Sequence, residues 1–312
     1  MESFVQNIAA GFGLKCRSIT REKFGHMCRT TCGELVMIQK VQVFADAPEN
    51  ILFQHEVKEY LFASGFGGTD RFFLSAAGLP YNKAGGEYFT ATKAFNAPKA
   101  DFTREEDFLA IVAKLAEMHK TLKGAEISCV PKKRSEPPEP AKALEILSGY
   151  KKRIMKAGKF SEFDMLFLKG CEKFMPYISD CRLGHNNYIC HNLLKEENIY
   201  IAEAAKPIFT NFGSAEPAHF LYDLAYIIKR YLKADPSGKI PLSAVLETYN
   251  NHHAMIDFDL GFFKSMLLYP DKFINLARNY YSKKRSFAPK TYLARIDECF
   301  LRLQALEDYL MR

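Results

Sequence analysis

Hydrophobic positions along this chain follow two rhythms. Between residues 14 and 45 they come in short runs, LKCRSI, HMCRTT and, after Gly33, ELVMIQKVQVF. The last run is rich in Val and Ile and predicts a strand that carries Lys40. ADAPEN supplies a turn. Apolar residues at Ile51, Leu52, Val57, Tyr60 and Leu61 then take helical spacing and predict a helix that stops at Gly65. Two strand-like runs in DRFFLSAAGLPYNKAGGEYFTATKAF flank Gly-rich turns, with Gly85 and Gly86 suited to a hairpin.

From Thr103 the rhythm becomes helical. REEDFLAIVAKLAEMHKTL predicts an amphipathic helix, with Thr103 placed as its cap and Glu106 three residues on. PKKRSEPPEPAK reads as a proline- and charge-rich surface linker. One long helical stretch is expected from about Ala141 to Ile178, where Lys151, Lys152 and Arg153 make a solvated basic face. YICHNLLKEENIYIAEAAKPIFTNFG reads as strands and loops, and helical patterns occupy most of the chain from there to the C-terminus. The expected architecture is α+β and two-lobed. A small mixed strand and helix lobe covers residues 1–98, and a larger, mainly helical lobe covers 99–312 with a hairpin insert at about 188–213. A ligand cleft is expected between them.

Composition narrows the classes. With 48% hydrophobic and 25% charged residues in 312, the chain is ordinary globular protein. The net charge of +7 is spread over the length, without the dense basic stripe of a nucleic-acid binder, so no nucleic acid is expected as a partner. No run approaches a membrane span, and the start lacks the pattern of a secretion signal, so synthesis and retention on the cytoplasmic side are expected. The eight cysteines are scattered and are expected to be buried thiols. Cys28 and Cys32 beside His26 lack the paired spacing of a zinc site, and Cys181, His185, Cys190 and His191 fall in a segment with a better explanation, so no metal site is assigned to either.

The layout, with its insert, resembles the protein-kinase-like fold of the aminoglycoside and choline kinases. More narrowly, ENILFQHEVKEYLFASGFGGTDRFFLSAAGLPY, KGCEKFMPYISD with YICHNLLKEENIYI, and LYDLAYIIKRYL with LLYPDKFINLARNYYSKKRSF resemble, in order, segments of the spore coat proteins of the CotS type from spore-forming Firmicutes. In active relatives the catalytic loop reads His, any residue, Asp, four residues, then Asn. Here the frame is His191, Asn192, Leu193 and, after four residues, Asn198. Leucine accepts neither a proton nor a hydrogen bond. The metal-binding aspartate aligns with Asn211, with Thr210 one slip away. An amide oxygen can touch Mg²⁺ but brings no charge to hold it.

By the same resemblance, Lys40 matches the strand lysine that meets the phosphates, Glu56 its helix partner, and Asp223 a structural aspartate that accepts from the catalytic loop. Each of the first two has a plainer alternative: Lys40 as an edge-strand lysine in water, Glu56 as a solvent-facing helix residue. Lys40, Glu56, Asn198 and Asn211 are therefore the candidate nucleotide contacts. Asp257 and Asp259 spell a metal motif too late in the chain, and are expected to cap the helix after them.

The resemblance thus implies a catalytically inactive kinase-like coat protein, made in the mother cell and placed on the spore coat. It would act by contact with other coat proteins, with homo-oligomerisation open and no cofactor. The alternatives are a small-molecule phosphotransferase using ATP and Mg²⁺, with Glu196, Glu197, Asp257 or Asp259 as unusual groups, or a nucleotide-binding sensor without turnover.

Overall fold

The computed structural model describes residues 2–23, 25–41, 47–128, 139–181, 188–255, 260–282 and 290–312. Residues 131–138 of the proline-rich linker, Asp257, Asp259 and His185 lie outside the described residues. The fold is two-lobed and kinase-like, with a small mixed lobe and a larger helical one. The chain divides into two compact units. One comprises residues 1–133, 186–223 and 248–254, the other 134–185, 224–247 and 255–312.

The first unit opens with a helix that the sequence pattern does not announce, α1 (Glu2–Ala10). Strands β1 (Cys16–Glu22), β2 (Gly25–Thr30), β3 (Leu35–Lys40), β4 (Asn82–Ala84) and β5 (Glu87–Lys93) form one antiparallel sheet in the order β1-β2-β3-β5-β4. Alternation buries Val36 and Ile38 of β3, and Val5, Ile8, Ala9 and Phe12 of the N-terminal segment pack with them, Cys28, Phe89 and Ala91. Gly85 and Gly86, both at positive φ, turn β4 into β5. Helix α2 (Ala47–Ala63) buries Ile51, Phe53, Val57 and Leu61 and gives way at Gly65, whose φ is 77°.

Helix α3 (Glu105–Leu122) begins two residues after Thr103, and Arg104 occupies its cap position without a side-chain bond. Thr103 instead donates its hydroxyl to Asp101, so local turn chemistry has taken the expected cap. The expected long helix is two: α4 (Pro140–Ala157) and α5 (Glu162–Ser179). Gly158, left-handed at φ 65°, ends the first, and a capping box between Ser161 and Asp164 starts the second.

The insert comprises β6 (Tyr188–Cys190), β7 (Ile199–Ala202), β8 (Lys206–Phe209) and β9 (Glu216–Ala218), pairing as β6-β9 and β7-β8. It is stitched into the first unit: Ala100 donates to the Ile199 carbonyl, and Phe209 donates to that of Gly68. The second unit is helical. Helices α4, α5, α8 (Leu260–Leu268), α9 (Asp271–Ser282) and α10 (Lys290–Met311) bury Phe163, Phe167, Phe174, Phe273, Tyr280 and Ile296 in one core. Gly170 is needed there, because a Cβ at that place would stand 2.4 Å from the Phe273 ring. Helix α6 (Leu221–Ala234) runs from the first unit into the second, and α7 (Leu242–His252) from the second into the first.

Candidate functional site

The loop after β6 is organised around one carboxylate. Asp223, in the first turn of α6, is fully buried. Its Oδ2 accepts the backbone N–H of His191 at 2.6 Å, and its Oδ1 accepts that of Asn192 at 2.7 Å. Asn192 sits left-handed at φ 58°, a conformation that asparagine tolerates better than most residues. The third bond to Asp223 comes from Nε2 of His119 on α3, at 3.1 Å. A carboxylate only accepts, so Nε2 carries a proton, and Nδ1 lies 2.8 Å from the Tyr249 hydroxyl.

His191 is enclosed in the same way. Its Nε2 donates to the Thr210 carbonyl at 3.0 Å, and its Nδ1 accepts the Leu193 N–H at 3.3 Å. Burial holds its pKa below the ordinary histidine value, so the ring is neutral with a fixed tautomer. Leu193 is half-buried, and its carbonyl accepts from the Asn198 amide at 2.8 Å. Asn198 and Asn211 meet directly, with Nδ2 of Asn211 donating to Oδ1 of Asn198 at 3.3 Å. Asn211 is left-handed at φ 63° and leads into a single helical turn, Phe212–Ser214.

The structure sets other sequence candidates apart. Lys40 ends β3 at the strand parity of Val36 and Ile38, and its half-exposed ammonium pairs with Glu87 of the neighbouring strand. Glu56 accepts both the N–H and the hydroxyl of Ser128, at 2.8 and 2.7 Å. The buried cation of α2 is Lys58, which bonds Asp70 at 2.9 Å. Glu196 and Glu197 lie in the helical turn Glu196–Asn198, where the Glu197 side chain is exposed and 3.7 Å from Lys195.

Sequence reasoning also misses a donor cluster. His119, Cys190 and Asp223 bring one nitrogen, one sulphur and one carboxylate oxygen within 4.8 Å of one another, all buried. They come from α3, β6 and α6, so no sequence spacing connects them. The available signal is that His119 falls on the apolar face of α3, among Leu115, Ala116, Met118 and Leu122. A metal here would take the place of the proton between His119 and Asp223, and would bind Cys190 as a thiolate. The thiol now donates to the His219 carbonyl at 3.4 Å, and burial beside Asp223 and Glu216 pushes its pKa well up. This donor set suits a borderline cation of the Zn²⁺ kind. The Mg²⁺ that accompanies a nucleotide requires oxygen, and this cluster offers one; Oδ1 of Asn198 is engaged by the Asn211 amide nitrogen in this structure.

No family model matches the chain, and no curated protein matches it. Solved structures do. The aminoglycoside phosphotransferase from Alicyclobacillus acidocaldarius superposes with a TM-score of 0.77 at 15% identity, over 98% of this chain and 94% of that one. The amicoumacin kinase hAmiN, solved with AMP-PNP and Ca²⁺, gives 0.68 at 15%, over 98% and 93%. Choline kinase LicA from Streptococcus pneumoniae gives 0.54 at 14%, over 99% of both chains. At these identities the likeness concerns the fold.

These findings correct the expectation of a catalytically inactive, structural spore coat protein. Leu193 and Asn211 stand where the sequence puts them, but the step from two motif positions to an inert protein fails. Donor atoms that a metal could bridge are assembled elsewhere, by elements distant in sequence, and the structures named above, among those that share the fold, are of one phosphotransferase and two kinases. The buried three-donor cluster is compatible with a bound metal, and so with the alternative expectation of ATP and Mg²⁺ use rather than with a clear absence of cofactor. Nothing in the likeness singles out the CotS type. The chain has the fold of the aminoglycoside and choline kinase-like superfamily.

Proposed function

We propose that this protein is a nucleotide-dependent phosphotransferase acting on a hydroxyl or amino group of a small molecule. One observation carries the reading. The loop His191–Asn198 is held in a single hydrogen-bonded shape by Asp223, inside a fold that matches a phosphotransferase over 98% of the chain. Phosphoryl transfer depends chiefly on positioning and on stabilising charge, so a rigid loop beside the metal-bearing phosphates is the part that the protein must supply.

Within that reading, Asn198 and Asn211, which hydrogen-bond to each other, are the residues proposed to meet the Mg²⁺ of a nucleotide once that bond is exchanged for the ion. When bound, that ion neutralises charge on the transferring phosphate. His191 is neutral and fully bonded, so its part is to hold the 210–212 turn through the Thr210 carbonyl. The His119, Cys190 and Asp223 cluster offers three further buried donors to a metal.

The test is transfer from γ-labelled ATP to a panel of aminoglycosides, aminocyclitols and amino alcohols, with Mg²⁺ and with a chelator, alongside metal analysis of the purified protein. Mg²⁺-dependent labelling of an acceptor is expected. A folded protein that binds nucleotide and labels nothing, water included, would overturn the reading. The ordered segment likeness to CotS-type proteins supports a place near that branch, and a fluorescent fusion followed through sporulation tests where the protein resides.

A further inference from the structure

The interior of the first unit holds an ion pair that the loop chemistry does not use. Lys58 is 1% exposed and Asp70 is 4% exposed. A lysine buried this far is costly unless its charge is met, and a buried pair contributes less to stability than apolar side chains of the same volume. This pair is also incompletely bonded. Among the described residues, Asp70 is the only hydrogen-bond acceptor of the Lys58 ammonium, and the second oxygen of Asp70 has no partner. Stability alone therefore does not account for it.

Its neighbours do. The Lys58 ammonium faces two rings, Phe72 at 4.1 Å and Phe212 at 5.8 Å from their centroids. Phe212 follows Asn211 directly, and its ring also lies 4.5 Å from that of His191. The segment before Asp70 runs alongside the segment before Asn211, with Thr69 bridged to Phe209 in parallel and Phe209 donating to the Gly68 carbonyl at 2.9 Å. The turn that presents Asn211 is thus clasped twice. One clasp is His191, anchored on Asp223, and the other is Lys58 with Asp70. Asn211 is left-handed, a conformation that persists where the surroundings hold it.

We propose that the buried Lys58–Asp70 pair is a positioning element for the 209–213 turn: the fixed ammonium holds the Phe212 ring and thereby sets the orientation of Asn211 toward the nucleotide. Asp70 acts through Lys58, and neither touches the reacting atoms. The consequence for turnover rests on the phosphotransferase reading; the structural part does not.

The experiment is amide hydrogen exchange on the full chain, with kinetics in parallel, for Asp70→Asn and for the double variant Lys58→Met with Asp70→Leu. The double variant removes both charges together, and so is expected to fold even where the single one does not. Exchange of the amides from Phe209 to Ala215 should quicken at least tenfold in each folded variant, while β2, β3 and α5 stay within twofold. The kcat should fall at least tenfold with the acceptor KM within threefold. Unchanged exchange at 209–215 in the folded double variant would overturn the proposal, as would a rise of equal size throughout the unit. If the unaltered protein labels no acceptor, the phosphotransferase reading fails alone, and the exchange result still decides whether the pair holds the turn.

Discussion

The two units differ most in what their interiors contain. Of the buried polar and charged residues described, Thr30, Lys58, Asp70, Thr90, Asp107, His119, His191, Asn198, Asp223 and His253 belong to the first unit, and Ser265 alone belongs to the second. The second unit is filled instead with rings and aliphatic chains, such as Phe167 stacked on Phe273 at 5.6 Å and Phe163 on Tyr280 at 3.9 Å. A buried polar group costs free energy unless it is bonded, and even then stabilises little in net terms. An apolar core carries no such cost. The concentration of buried polar groups in one unit therefore marks the region where shape is held by directional contacts.

Asp223→Ala should break this contrast most severely. It strands the N–H groups of His191 and Asn192 and the His119 ring in a buried place, and should cost about 3–5 kcal/mol in urea unfolding, with loss of nucleotide binding. Phe273→Ala attacks the other interior. It opens a cavity against Phe167 and Phe174, and should cost about 3 kcal/mol while the nucleotide affinity of the folded fraction stays as it was.

Acid should separate the units without mutation. Burial, and then His119, Lys123 and Lys120, push His253 down to about 4 from 6.5, and burial lowers His191 too. The unfolded chain then binds protons that the folded one refuses. Stability should fall as pH drops from about 6.5 towards 4, at up to about 1.4 kcal/mol per pH unit for each such group. The one histidine in the second unit's sequence is His185, so exchange at pH 5 should quicken in the first unit before the second. Lys40→Ala marks the small end of the scale. Its ion pair with Glu87 is half-exposed, and the stability change should stay within about 0.5 kcal/mol by thermal melting.

Much of the fold is legible in the chain. The Val- and Ile-rich strand, the helix that stops at Gly65, the hairpin at Gly85 and Gly86 and the insert after Tyr188 come from local periodicity and turn residues. The break at Gly158 is written there as well, with Ser161 and Asp164 beside it, but the apolar rhythm on either side masks it. The candidate site is much less legible. His119, Cys190 and Asp223 are 71 and 33 residues apart, and no motif spacing relates them.

The sequence by itself determined the order and kind of most elements, and the identities Leu193 and Asn211 in the loop frame. Those properties depend on neighbours within a turn or a strand. Only the tertiary structure decided that Lys58 of α2 lies inside while Glu56 meets Ser128, and that Asp223 collects three donors from two elements. Lys58 and Glu56 are equally polar and two residues apart, and nothing local distinguishes them. The choice falls to helix phase against a packed partner, and to whether a buried charge finds its counter-charge across the fold.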